Sequence, residues 1–155
     1  MLSYSIGSSG QSICFTTDVL AHFRKYQQTR WYHCEAGGQL FAIKEEARIV
    51  VIEVTGPRKT DRRTRTSYVP DRRLEMSEIA EQEQMSRFFV GDWHTHPQPI
   101  AKPSPPDLQS IQECFRDSVH VLNGFVLVIV GTAKFPEGLF VSVSDGENTH
   151  ELAIE

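Results

Sequence analysis

His94 and His96 stand one residue apart, directly after the apolar run Phe88-Phe89-Val90. If that run is a strand, both imidazoles project from one face, because side chains alternate with a period of two. A proline-rich loop leads on to Ser104-Pro105-Pro106-Asp107, which has the form of a helix start. Asp107 then falls in the first helical turn, able to swing its carboxylate back toward the imidazoles. Two neutral nitrogens and one carboxylate, with a fourth position left for water, form the ligand set of a catalytic zinc.

Each part of that corner also has a plainer reading. A His-Thr-His at a strand end serves equally as polar surface. Ser104-x-x-Asp107 is a capping-box arrangement with proline at the first helical position, and Asp107 could simply complement the helix dipole. The two roles are compatible, since a cap fixes the helix end that aims the carboxylate. Five of the eight prolines lie between residues 97 and 106, stiffening the loop and lowering the entropy lost in holding ligands. His33 and Cys34 raise a cysteine-nucleophile alternative, but no helix start or cation places Cys34 for it. His22, His120 and His150 have no ligand partners nearby in sequence, and Cys14 and Cys114 read as buried apolar residues.

The elements that must position these groups follow from periodicity. Residues 11–15 predict a short strand, and Thr16-Thr17-Asp18 caps a helix running to about Gln28, with Val19, Leu20, Phe23 and Tyr26 at helical spacing. Leu40–Ile43 is strand-like and is entered through Gly37-Gly38, a pair that marks a bend or a close backbone approach. Residues 47–54 form the clearest strand of the first half, and 66–69 a shorter one. A helix is expected over 72–86, with Leu74, Ile79 and Ala80 inward and its acidic residues facing water. Leu108, Ile111, Cys114 and Phe115 stripe a further helix to about Asp117. The apolar run 125–130 predicts a central strand covered on both faces. Residues 138–144 follow as its neighbour, Asp145-Gly146 as a hairpin turn, and 147–154 as the closing edge. The expected class is α/β of the α+β type, with helices on a mixed, mostly antiparallel sheet.

Bulk properties set the frame. A chain of 155 residues suits one domain with a substantial core. Three widely spaced cysteines without a Cys-x-x-Cys argue against a disulfide framework and for a reducing compartment. No apolar run approaches the roughly 20 residues of a membrane span, and the N-terminus lacks the form of a secretory signal. A cytoplasmic protein is expected, with neither membrane nor nucleic acid as partner. The net charge of −4 conceals seven basic residues between Arg58 and Arg73 against Asp61 and Asp71 alone. Such a patch suits a solvated loop, a polyanion or an acidic protein surface.

The motif carries a family resemblance. His94-Thr95-His96, seven intervening residues, then Ser104-Pro105-Pro106-Asp107 resembles the His-[Ser/Thr]-His-x7-Ser-x-x-Asp pattern of JAMM (JAB/MPN) zinc isopeptidases. Glu35-Ala36-Gly37-Gly38-Gln39-Leu40 is similar to that family's upstream glutamate segment, and Gly91-Asp92-Trp93 and Pro97 fit as well. The resemblance implies a single JAMM/MPN domain over 1–155 with a curved sheet. It implies one zinc per chain held by His94, His96 and Asp107, with Glu35 as general base and Ser104 as an oxyanion donor. Inactive relatives lack ligands, and none is lacking here. The chain is most similar to the short bacterial members of CBASS anti-phage operons, which remove a conjugated cyclic-oligonucleotide synthase from target amines. On that picture residues 58–73 form a substrate-contacting loop. A zinc hydrolase of small amides and a non-catalytic MPN scaffold are the competing readings.

Overall fold

The computed structural model describes residues 1–120 and 122–155. The elements run β1 (Leu2–Ser5), β2 (Ser12–Phe15), α1 (Thr17–Lys25), β3 (Gly37–Glu45), β4 (Arg48–Val54), β5 (Arg62–Arg63) and β6 (Tyr68–Val69). They continue as α2 (Arg72–Gln84), β7 (Phe88–Thr95), α3 (Pro105–Asp117), β8 (Phe125–Val130), β9 (Leu139–Ser144), β10 (Thr149–Glu151) and β11 (Ala153–Ile154). Nine strands form one sheet in the order β10-β9-β8-β7-β3-β4-β2-β1-β11, and β5-β6 make a separate hairpin. Two neighbouring pairs, β2-β4 and β7-β8, are parallel, and the rest are antiparallel. The expected mixed, mostly antiparallel sheet with flanking helices is therefore what forms.

The strand order shows how the sheet curves. β10 and β11 occupy its two ends, yet only Leu152 separates them in the chain. Residues 149–154 thus tie the first edge to the last and roll the sheet toward a barrel. Leu152 donates its N–H to the Val141 carbonyl (2.8 Å) and buries its side chain in the larger core. That core gathers Ile13, Phe15, Leu40, Val51, Trp93 and Val128 with the Val19, Leu20 and Phe23 face of α1. A second core on the opposite face packs Ile111 of α3 against Phe125, Leu127 and Ile129. β8 is buried at every position, as its unbroken apolar run requires.

Several expectations need correction. The predicted strand at 40–43 begins at Gly37, so the glycine pair lies inside β3. A Cβ on Gly38 would overlap the Thr55 carbonyl oxygen, so glycine permits the close approach of β3 to the β4 exit. α1 stops at Lys25, with Tyr26 as its cap. The 147–154 stretch divides between two edges of the sheet. The inward positions of α2 are Glu75 and Gln82, whereas Leu74 and Met76 are exposed by 39% and 72%. β1, at a position where no strand was expected, pairs with both β2 and β11. Among the described residues no helix is long and apolar enough to cross a membrane.

Candidate metal centre and active site

β7 ends at Thr95, so His94 is its penultimate residue and His96 lies just past its end. Their rings sit 5.0 Å apart, centroid to centroid, on the same side of the strand. Trp93, between the sheet and α1, holds the register from the opposite side. It is buried, and its indole N–H donates to the Thr55 carbonyl (2.9 Å).

Asp107 arrives from α3. Ser104 caps that helix, its hydroxyl accepting from the Asp107 N–H (3.3 Å), while Asp107 Oδ2 accepts from the Ser104 N–H (2.8 Å). The capping box thereby fixes the carboxylate at the helix start, where the dipole also favours it. Asp107 Oδ1 lies 3.2 Å from His94 Nε2, and Oδ2 lies 3.2 Å from His96 Nε2. Capping and convergence on the imidazoles coexist in one side chain. Ser104 keeps its hydroxyl proton free to donate elsewhere, since Oγ is the acceptor in the cap.

Glu35 enters from the loop before β3 and is buried. One carboxylate oxygen of Glu35 and one ring nitrogen each of His94 and His96 lie within 4.8 Å of one another. The sequence-predicted residues Glu35, His94, His96, Ser104 and Asp107 therefore meet at one corner. His33 is not among them, its Nδ1 accepting from the Arg30 N–H (3.3 Å), and Cys34 stays outside the cluster. His22 Nε2 pairs with the Gly56 carbonyl and His120 Nε2 with the Phe115 carbonyl, as structural histidines.

Two sets of contacts hold Glu35 in place, and the sequence reading missed both. The hairpin contributes the Thr64 carbonyl, which accepts from the Glu35 N–H (2.7 Å), and Arg63 Nε, which donates to the Glu35 carbonyl (2.7 Å). Thr95, between the two histidines and fully buried, accepts from the Ala36 N–H (2.9 Å) and donates to Gln28 Oε1 (2.8 Å). Gln28 in turn donates to the His33 and Arg65 carbonyls. A glutamine ending the α1 pattern and a threonine between two histidines were the available signals.

Three of the seven basic residues in the 58–73 stretch are tied into the fold. The Arg58 side chain is 7% exposed and donates to Glu78 (Nε to Oε1, 2.7 Å), Tyr68, Asp61 and Thr55. Arg65 donates to the Arg30 and Trp31 carbonyls. Arg63 and Arg65 thus have internal partners, though Arg65 is exposed, as are Lys59, Arg62, Arg72 and Arg73.

Electrostatics matches the geometry. Burial raises the Glu35 pKa above the usual carboxylate range, against the pull of the two imidazoles. Burial would also raise Asp107, but the imidazoles beside it win and hold it well below its ordinary value. Burial pulls His96 down, and the hydrogen bond and charge of Asp107 outweigh it, leaving His96 raised. His94 Nε2 is buried and has no hydrogen-bond partner: its 3.2 Å approach to Asp107 is off the hydrogen-bond line. A buried, unpaired lone-pair donor facing carboxylate oxygens is poorly satisfied by protein alone. It is the donor chemistry that a divalent cation satisfies, so these residues fit a metal.

From this corner a cavity of about 320 Å³ extends between α2 and α3, with Glu35, His94 and Asp107 at one end. A rolled mixed sheet with an imidazole pair and two carboxylates gathered near the end of β7 makes this corner a candidate metal centre. The chain belongs to the family of prokaryotic homologs of the JAB domain, whose profile matches residues 16–143. It is 27% identical over 107 residues to a "CD-NTase/cGAS isopeptidase" of Escherichia coli strain TW11681, covering 63% of this chain and 65% of that protein. A protein of the same name from Vibrio cholerae is 27% identical over 122 residues, 76% of this chain and 74% of its own. A "Probable metalloprotease y4qB" of Sinorhizobium fredii is 38% identical over 74 residues, 44% of each chain. The matches therefore span just under two thirds of the E. coli relative and less than half of the Sinorhizobium one. A solution structure of a Desulfitobacterium hafniense protein shares the fold at TM-score 0.59 and 19% identity, covering 90% of this chain and 88% of that one.

Proposed function

We propose that this protein is a zinc-dependent isopeptidase that releases a conjugated protein from the amine it was joined to. The convergence of Glu35, His94, His96 and Asp107, three of which line one cavity, carries the reading. The relatives named CD-NTase/cGAS isopeptidase support a conjugated cyclic-oligonucleotide synthase as the substrate and anti-phage defence as the setting. The reading keeps one zinc per chain, one domain over 1–155 and a cytoplasmic location.

His94, His96 and Asp107 would hold the metal. Bound there, zinc supplies Lewis acidity that brings water deprotonation to about pH 7. Glu35 takes the proton of the attacking water, a task suited to a carboxylate whose basicity burial has raised. The water oxygen adds to the isopeptide carbonyl carbon, and the Ser104 hydroxyl donates to the oxygen that gains charge. The C–N bond then breaks as Glu35 passes its proton to the departing amine nitrogen. Asp107, with its pKa held low, stays ionised throughout.

The test pairs metal analysis with two substitutions. Glu35→Gln should bind zinc at wild-type stoichiometry and lose at least about a hundredfold in kcat/KM on an isopeptide-linked conjugate. Asp107→Ala should lose zinc and activity together. An active Glu35→Gln protein rejects the assigned base. Cleavage of a small dipeptide but not of a conjugate replaces the isopeptidase with a small-amide hydrolase.

A further inference from the structure

The cavity continues well past the metal corner. One wall is α3, which contributes Asp107, Ile111, Cys114 and Asp117 in successive turns. The ten residues from Asp107 to Asp117 rise about 15 Å, the reach of four or five residues of extended chain. Glu75 and Arg72 of α2 form the facing wall, with Asp92 of β7 and Leu127 of β8 between them.

Beyond the metal corner this trench carries Glu75, Asp92, Glu113 and Asp117 against Arg72 as its one Lys or Arg. The placement of Glu75 is the second, separate observation. Its side chain is more than nine-tenths buried, it lines the trench, and its Oε1 has no hydrogen-bond partner. α2 turns this carboxylate inward while Leu74 and Met76 face solvent, the reverse of ordinary helix burial. Acceptors left unpaired at a buried site are unfavourable until a donor arrives.

The donor that fits is a long organic cation. Among the described residues, the only group of three His, Cys, Asp or Glu ligand atoms within 4.8 Å is Glu35-His94-His96, so the trench does not offer a second metal cage. An ammonium or guanidinium on a flexible stem brings several N–H donors and lays its methylenes along Ile111 and Leu127. We propose that the trench between α2 and α3 is a specificity subsite for a lysine or arginine side chain of the protein substrate, a few residues from the bond cleaved. The nature of the occupant rests on the isopeptidase reading; the cation preference rests on the trench alone.

The test uses the zinc-loaded protein and two blocked peptides, acetyl-Ala-Lys-Ala-Lys-Ala-amide and its norleucine counterpart. Calorimetry should show the lysine peptide binding at least about tenfold more tightly, with amide NMR shifts confined to residues 72–75, 92 and 107–118. Glu75→Gln should abolish that preference with zinc content unchanged. Glu81→Gln, which removes a charge from the exposed side of the same helix, should preserve it. Equal binding of the two peptides, or a preference that survives Glu75→Gln, overturns the subsite. Neither peptide has an isopeptide bond, so the two readings separate. Lysine preference without conjugate cleavage sinks only the isopeptidase, and cleavage without preference sinks only the subsite.

Discussion

Replacing Thr95 with valine tests whether the pair of histidines and the glutamate are held as one unit. Valine matches threonine in shape but removes Oγ1, which accepts from Ala36 N–H at 2.9 Å and donates to Gln28 Oε1 at 2.8 Å. All three residues are buried, so no solvent replaces either partner. Each buried group left unpaired costs about 1–3 kcal/mol, placing the combined loss near 4 kcal/mol. At about 2–4 °C per kcal/mol for a chain of this size, the melting temperature should fall by roughly 8–16 °C. The Glu35 carboxylate should drift as well, since Ala36 follows it directly, and a displacement of about 1 Å suffices for a hundredfold loss in kcat/KM. Thr95→Ser keeps both hydrogen bonds and sheds one methyl, so it should lose only about 1 kcal/mol and retain most activity. Calorimetric melting and conjugate cleavage for the three proteins decide the matter. A valine variant within 2 °C of wild type and fully active would refute the linkage from Gln28 through Thr95 to Glu35.

Removing the metal should reverse the pH dependence. In metal-free protein His96 has a raised pKa, and a raised histidine contributes stability fully below its unfolded value of about 6.5, lost as pH rises through the folded one. Asp107, held low, contributes above about 3.9 and loses that only as pH falls much further. Chelated protein should therefore melt highest between about pH 4 and 6.5 and lower at pH 8, while zinc affinity climbs over the same interval as His96 gives up its proton. Chelated protein that melts higher at pH 8 than at pH 5.5 contradicts this. Arg58→Met leaves Asp61 and Glu78 without their buried partner, so urea unfolding should reveal a loss of about 3–5 kcal/mol; a change under 1 kcal/mol would show the cluster to be inert. Gly38→Ala pushes a methyl into the Thr55 carbonyl and should separate β3 from the β4 exit, lowering soluble yield and zinc content together; normal values for both would count against that contact.

Much of the corner was legible because its chemistry is local. His94-Thr95-His96 and Ser104-x-x-Asp107 each lie within a few residues, and a capping box is a sequence-level device. Glu35 is 59 residues from His94, and the resemblance supplied its role where periodicity could not. The supports of Glu35 were hard to read because they act across the fold, from Gln28, Arg63 and Thr64. α2 misled because its inward face meets a polar trench, so burial follows Glu75 and Gln82 and not the apolar residues. The arginines of 58–73 looked like a surface patch, since nothing in their spacing shows that Arg58 is enclosed by Asp61, Tyr68 and Glu78.

The hinge at Leu152 matters beyond the fold itself. A sheet whose outermost strands are long and bare invites other chains to zip onto it, and proteins guard against that with short or covered margins. Here both margins come from one six-residue run, with three residues in β10 and two in β11. Such stubs give a visiting polypeptide little to pair with. On the proposed function, an extended tail can therefore be met at the cavity without zipping onto the margins of the sheet.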